Sequence, residues 1–365
     1  MKRLTPYLVG LPLLAACSHQ PPADFAPDPG LVAHIRAIEL QAPSQACPGQ
    51  SFPVTYMAVL DDGSRIPFAS RYDKKHPPRL HVTFLERTSD AATPLQDGGW
   101  TADNDPFASV HRGFYLSAAL RANPALSGGA RISPDYSCVD HVLAFEGATG
   151  GTAESGVDGP AVTVRLGIVS SPFYERLLVA AIEVEDAPPR YLFADAQAVQ
   201  PADWLVVESR GGRGGRGSPG QRGGRGVDGA PGCPGGAGGP GGAGGNGGPG
   251  AAGGRGGRIT IIAPEEEPFL AGLVDPRVSG GDGGPGGAGG AGGAGGKGGA
   301  ARAGSDSTCR PGAPGSDGPS GAAGRRGLDG DPGPRPQVLT VPLRSVFGTR
   351  APAELLDLLD RAARH

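Results

Sequence analysis

The chain has 365 residues, 66 of them glycine, with 5% aromatic residues and a formal charge of −3 from 33 basic and 36 acidic side chains. So much glycine and so little aromatic surface exclude a single large apolar core, and the length suits two domains. The near-balanced charge implies no partner by itself.

The first residues are MKRLTPYLVGLPLLAAC. Lys2 and Arg3 form a basic start, and the apolar stretch 8–15 is too short to span a bilayer. Leu14-Ala15-Ala16-Cys17 resembles the lipobox of bacterial lipoprotein signal peptides. The resemblance implies cleavage before Cys17, a diacylglycerol on its sulfur and an acylated amine, which together anchor stably where one chain binds only marginally. An ordinary secretory signal with a chance cysteine is the other reading. Ser18 stands where many such lipoproteins carry an Asp for inner-membrane retention, so the resemblance points to the outer membrane. Residues 1–16 are the expected signal peptide, and 17–30 read as a Pro-rich tether.

Five cysteines occur: Cys17, Cys47, Cys138, Cys233 and Cys309. Lipidation of Cys17 leaves four in an oxidising compartment, and four allow three pairings. Two lie in the N-terminal half and two in the glycine-rich half, so Cys47–Cys138 and Cys233–Cys309 are expected. No CxxC occurs, so neither a redox motif nor a zinc knuckle has support, and no metal or cofactor is expected.

Residues 31–200 have the composition of a β domain. Short alternating runs at 35–40, 51–60, 81–86, 113–120, 139–146, 162–169 and 177–185 are separated by turn signals such as Asp61-Asp62-Gly63. They predict an all-β sandwich, with 177–185 open to a helical reading as well.

From Gly211 the pattern changes. Glycine recurs every third residue sixteen times over 211–256, seven times over 280–298 and eight times over 312–333. A strict period of three matches three residues per turn of a polyproline-II type helix. Residues 235–257 and 280–299 are mostly Gly-Gly-X, whereas 211–232 and 312–333 are mainly Gly-X-Y. Gly-Gly-X leaves two bare faces and Gly-X-Y one. The expected architecture for 201–345 is a polyglycine-II/collagen-like helical bundle, Gly-Gly-X inside, with a Cys233–Cys309 staple at one end. A β-hairpin cap from 259–263 and 273–279 closes the other end, and 346–365 form a C-terminal amphipathic helix with Leu355, Leu356 and Leu359 on the cap. The repeat resembles the polyglycine-II bundles of glycine-rich antifreeze and phage adhesin proteins, in repeat type only. A trimeric collagen triple helix and a disordered linker remain as alternatives.

No catalytic constellation appears. HExxH and GxSxG are absent, and GGRGGRGS at 211–218 lacks the Lys-Ser/Thr of a phosphate loop. Asp103-Asn104-Asp105 reads as a turn rather than a calcium loop. Arg210, Arg213, Arg216, Arg222 and Arg225 recur at multiples of three and would line one edge, either as a solvated rim or as a site for anionic polysaccharide, lipid phosphates or extracellular DNA. An exported chain excludes intracellular nucleic acid. Taken whole, the sequence resembles collagen-like, glycine-rich bacterial lipoproteins, a class that implies no activity. The expectation is a non-enzymatic, lipid-anchored outer-membrane protein, monomeric, with a structural or adhesive role. A carbohydrate-binding or enzyme-accessory module in the β domain is the alternative, with Trp100 and Tyr72 as aromatic candidates.

Overall fold

A computed structural model describes residues 21–138, 140–185, 187–199, 204–302, 309–348 and 351–362. Cys17 and the expected signal peptide lie outside the described residues. The chain forms two compact units, 1–136 and 137–365.

The first unit contains α1 (Pro29–His34), β1 (Ile35–Gln41), β2 (Gln45–Ala46), β3 (Ser51–Phe52), β4 (Thr55–Leu60), β5 (Arg65–Pro67), β6 (Leu85–Ser89), β7 (Ala92–Pro94), β8 (Trp100–Ala102), α2 (Pro106–Val110), β9 (Phe114–Leu120) and β10 (Asn123–Pro134). They make three small sheets, β1-β4-β5, β2-β10-β9-β6 and β3-β8-β7. Tyr56, Leu80, Leu85 and Leu120 form one core cluster, and Trp100, Phe114, Leu116 and Ile132 another. The expected tether packs as well: the Phe25 ring lies 5.0 Å from Tyr72 and 5.1 Å from Phe84.

The second unit adds β11 (Val142–Glu146), β12 (Val162–Val169), β13 (Leu177–Val184), β14 (Arg190–Asp195), β15 (Leu205–Arg210), β16 (Ile259–Pro264), β17 (Val274–Arg277), β18 (Gln337–Val341), α3 (Leu343–Val346) and α4 (Ala353–Ala362). One sheet is β11-β15-β17, all parallel. The other is β14-β13-β12-β16-β18, in which β12, β16 and β18 are parallel. Leu143, Leu205, Val207 and Val274 from the first sheet share a core with Val164, Leu166, Ile182, Ile259 and Ile261 from the second. The compact units therefore divide earlier than residue 200, because β11 and β12 take their neighbours from beyond it. Leu355, Leu358 and Leu359 of α4 are buried, while Leu356 is exposed. A side chain at Gly167 of β12 would strike Phe347, so this glycine makes room for that ring.

The expected fold class is corrected on three points. First, no helical collagen-like bundle is present. Among the described residues the helices are α1–α4 and two short 3-10 turns, none of them in a glycine run, and the regular structure is β, in five sheets. Second, the β domain is not one two-sheet sandwich. Third, 259–263 and 273–279 do not form a hairpin, because β16 and β17 belong to different sheets.

The glycine runs continue the chain from the strands and are bonded to one another rather than along themselves. We number them run 1 (211–232), run 2 (235–257), run 3 (280–299) and run 4 (312–333). Run 1 donates to run 3 every third residue, as in Gly220 N–H to Ala288 C=O and Gly223 N–H to Ala291 C=O. Run 2 donates to run 4 (Gly244 to Pro319) and to run 1 (Gly245 to Gln221). Run 3 donates to run 2 (Gly290 to Gly245), and run 4 to run 3 (Gly321 to Gly290). These bonds extend β15–β17 and β16–β18 pairing outward and also tie the two layers to each other. Stacked sheets normally stand about 10 Å apart because side chains fill the gap; here glycine removes the filling.

Residues 147–159 join the same stack. Gly147, Gly150 and Ala153 donate to Arg210, Arg213 and Arg216 carbonyls; Gly212 and Gly215 donate back to Val157 and Glu154. This explains a local composition change. A Cβ on Gly212 or Gly215 would land on carbonyls of 147–151. Beyond the reach of that segment, the same register position holds Ser218, Gln221, Gly224, Val227 and Ala230.

Neighbouring glycines should therefore respond differently to one methyl group. A Cβ on Gly223 falls on the Gly242 carbonyl, whereas one on Gly224 meets nothing within 4 Å. Gly223→Ala should destabilise by roughly 1–3 kcal/mol, as overpacking does, and Gly224→Ala should be neutral or slightly stabilising. Thermal melts of the two variants test this; equal responses would mean that the runs are not in backbone contact.

Candidate functional site

The far end of the glycine stack is closed by covalent chemistry. Cys233 lies at the reversal between runs 1 and 2, and Cys309 precedes run 4. They form a disulfide with Cα atoms 5.0 Å apart. Gly232 also bridges to Ala301 beside it. Cys47 and Cys138 are disulfide-bonded too, so neither offers a thiolate to a metal.

The expected basic row exists as a geometric row. Arg213, Arg216, Arg222 and Arg225 are exposed along run 1, and Arg210 is half-buried at its root. Two of the five are already held by carboxylates: Arg210 Nη2 lies 2.9 Å from Asp282, and Arg225 Nη2 lies 3.0 Å from Asp228. Among the described residues Arg213, Arg216 and Arg222 have no carboxylate partner. Run 3 beside them carries Pro285, Ala288, Ala291 and Ala294 at its non-glycine positions. The arginine-glycine doublets at 211–216 need no nucleic-acid explanation. Their second glycines are where residues 147–157 lie against run 1.

Other sequence candidates have structural work. Asp103 and Asp105 build the N-terminal turn of α2, with Phe107 N–H donating to Asp105 at 3.0 Å. Asp61 accepts from His34 Nδ1 at 2.7 Å when that nitrogen is protonated, and His34 and Arg36 beside it hold its carboxyl below the usual range. Glu266 and Glu267 hold Leu343 N–H and Arg176. Trp100 is fully buried and donates to Tyr56 Oη at 2.6 Å; Tyr72 packs edge-on against Phe25. Neither ring is a free platform. A cleft of about 600 Å³ in the first unit is lined by Phe52, Thr55, Ser70, Arg71 and Asp97, with no nucleophile–base pair among them. Sequence reasoning missed this cleft, because residues far apart in the chain line it.

No protein-family model matches the chain, and comparison with curated proteins finds none that matches.

Two measurable consequences follow from these groups. The Cys233–Cys309 bridge closes a loop of 76 residues, which in the chain-entropy picture stabilises by roughly 4 kcal/mol. Cys233→Ala with Cys309→Ala should lower the melting temperature by several degrees. An unchanged melt would show that the backbone bonds hold the end unaided. The second concerns pH. His81 is buried, its Nε2 has no partner, and burial pushes its pKa below the ordinary value. His141 is shifted the same way by burial, opposed by Asp140. The unfolded chain then binds more protons as pH falls through about 6.5, so stability is full above that value and declines below it. His81→Gln should flatten the melting profile between pH 7 and 5; an identical profile would remove His81 as the cause.

Proposed function

We propose that this chain is a non-enzymatic lipoprotein of the cell envelope, anchored through Cys17 in the outer membrane, that displays its glycine stack as a structural or adhesive element. The observation that carries this reading is the stack itself. Runs of about 20 residues are bonded to their neighbours every third residue and stapled at the far end. Such an element is stiff, regular and chemically bland, which suits projection and contact rather than turnover. Two disulfides suit an oxidising compartment, and so support export. The resemblance of residues 14–17 to a lipobox supplies the anchor. An aromatic sugar platform in the first unit loses its two candidates to packing, which leaves the display reading ahead of the carbohydrate-module alternative.

Cys17→Ser should abolish incorporation of a fatty-acid probe and move the protein from the membrane fraction to the soluble one. Unchanged labelling of the variant would remove the anchor from this account.

A further inference from the structure

The stack contains its own examples of a bound carboxylate. Asp228 Oδ1 accepts from Arg225 Nη2 at 3.0 Å and from the Lys297 backbone N–H at 2.7 Å. Asp329 Oδ1 accepts from Arg326 Nη2 at 3.0 Å and from the Gly283 N–H at 2.7 Å. In both, an arginine precedes the aspartate by three residues on an outer run, and run 3 supplies the amide. The Lys297 N–H is the chief reason that the Asp228 carboxyl sits below its usual range. Charge-assisted bonds of this kind are among the stronger ones available at a surface.

The period of three repeats these surroundings along run 1. Gly229 bonds to Lys297 and Gly220 to Ala288, so Ala288 stands to residue 219 as Lys297 stands to Asp228. Arg216 stands to residue 219 as Arg225 stands to Asp228. Residue 219 is proline, which brings no carboxylate. Arg222 flanks the same position from the other side. Among the described residues the guanidinium groups of Arg216 and Arg222 and the Ala288 N–H have no hydrogen-bond partner. The notch at residue 219 therefore has one guanidinium and one amide in the register of the occupied carboxylate site at Asp228, with Arg222 as a second guanidinium-bearing residue beside it.

We propose that the Pro219 notch, between Arg216 and Arg222 and beside the Ala288 N–H, binds a carboxylate of an extended acidic polysaccharide. Arg213 continues the row one repeat away, at most about 10 Å along an extended chain, so a polymer with regularly spaced carboxylates engages more than one guanidinium. Pro219, Ala288 and Ala291 give the sugar rings an aliphatic floor. No aromatic side chain stands in these rows, so the stacking that single-stranded nucleic acid uses has no partner here. This inference deepens the adhesive reading by naming the ligand chemistry.

The test is calorimetric titration of the purified full chain with polygalacturonate, its methyl ester and a single-stranded oligonucleotide. Polygalacturonate should bind, more weakly at high salt, and the uncharged ester should not. Pro219→Asp places a carboxylate in the notch and should lower affinity roughly tenfold while the melting temperature holds. Arg222→Ala should also weaken binding, and it leaves Pro219 in place should the first variant lose stability. Arg325→Ala, on run 4 beside run 2, should change nothing. Full affinity in Pro219→Asp and Arg222→Ala, binding of the ester, or equally tight oligonucleotide binding would each overturn the proposal. Cys17→Ser should leave this binding intact, so the anchor and the notch fail separately.

Discussion

At least one amide in each repeat of the glycine runs, and two in run 2, donate to carbonyls of neighbouring segments, and this contact is possible only where no side chain intervenes. The balance of terms is narrow. Ordering glycine costs about 0.5–1 kcal/mol more than ordering alanine in regular structure, and a backbone hydrogen bond returns a net of about 0.5–1.5 kcal/mol. Repetition alone therefore gives little surplus. The stack depends on being held at both ends, by an apolar core at one and a disulfide at the other. The strands enter the runs already paired, with β15 beside β17 and β16 beside β18. Registration is settled in the core, where side chains specify it, and is carried outward into a repeat that has no side chains to specify it.

That coupling explains why the two layers share a core of Leu, Val and Ile at the root and backbone contact beyond. Leu205 and Val207 face Ile259 and Ile261 across a filled interior. A few residues further, Gly211 and Gly214 donate to Ser279 and Asp282, and Gly254 to Gly212. Ser209 lies at the change between the two regimes. It is fully buried, its hydroxyl donates to the Pro160 carbonyl at 2.6 Å, and its own carbonyl accepts the Gly257 N–H. A small polar residue there spans the narrowing gap.

Much of this was legible in the sequence, and the failures have physical causes. The period of three and the contrast between Gly-Gly-X and Gly-X-Y are written in composition. Run 4 bonds to two neighbours, but run 1, expected at the margin with it, bonds to runs 2 and 3 and to residues 147–159. The expected helical bundle is overturned because the structure uses the period of three to place one or two amides per repeat against neighbouring runs, in continuation of the sheets. β10 has no counterpart among the runs read from the sequence; its Gly128 is there because a Cβ would meet the Ile38 carbonyl of β1. The segment 81–86 was read as one strand, but Val82–Phe84 is a 3-10 turn before β6. The partnership of β11 and β12 with strands beyond residue 200 is a long-range fact that local alternation does not encode. The basic row was legible; the carboxylate surroundings at Pro219 were not, since they need the register between runs 1 and 3.

A stack of this kind could keep adding layers, and the sequence limits it. Where residues 147–159 end, run 1 keeps only one paired glycine, Gly224, and Ser218, Gln221, Val227 and Ala230 occupy the position that a further run would need. Run 4 carries side chains at both of its non-glycine positions throughout 312–333. These residues do for the stack what charged or bulky residues do for an exposed sheet edge. Run 3, in contrast, keeps both glycines in all seven repeats, and a Cβ at either would collide with a neighbouring carbonyl. Run 2 shows the intermediate case. Its second glycines at 236, 239, 242 and 245 leave 3.1–3.3 Å to the nearest atom of run 1, and there the sequence does admit one methyl group, Ala251. The tolerated alanine and the forbidden ones follow from about one ångström of clearance, since a Cβ at Gly289 would come within 2.0 Å of a carbonyl while one at Gly242 would keep 3.1 Å. The pattern of glycine against not-glycine is thus a map of which faces are covered and which end the assembly.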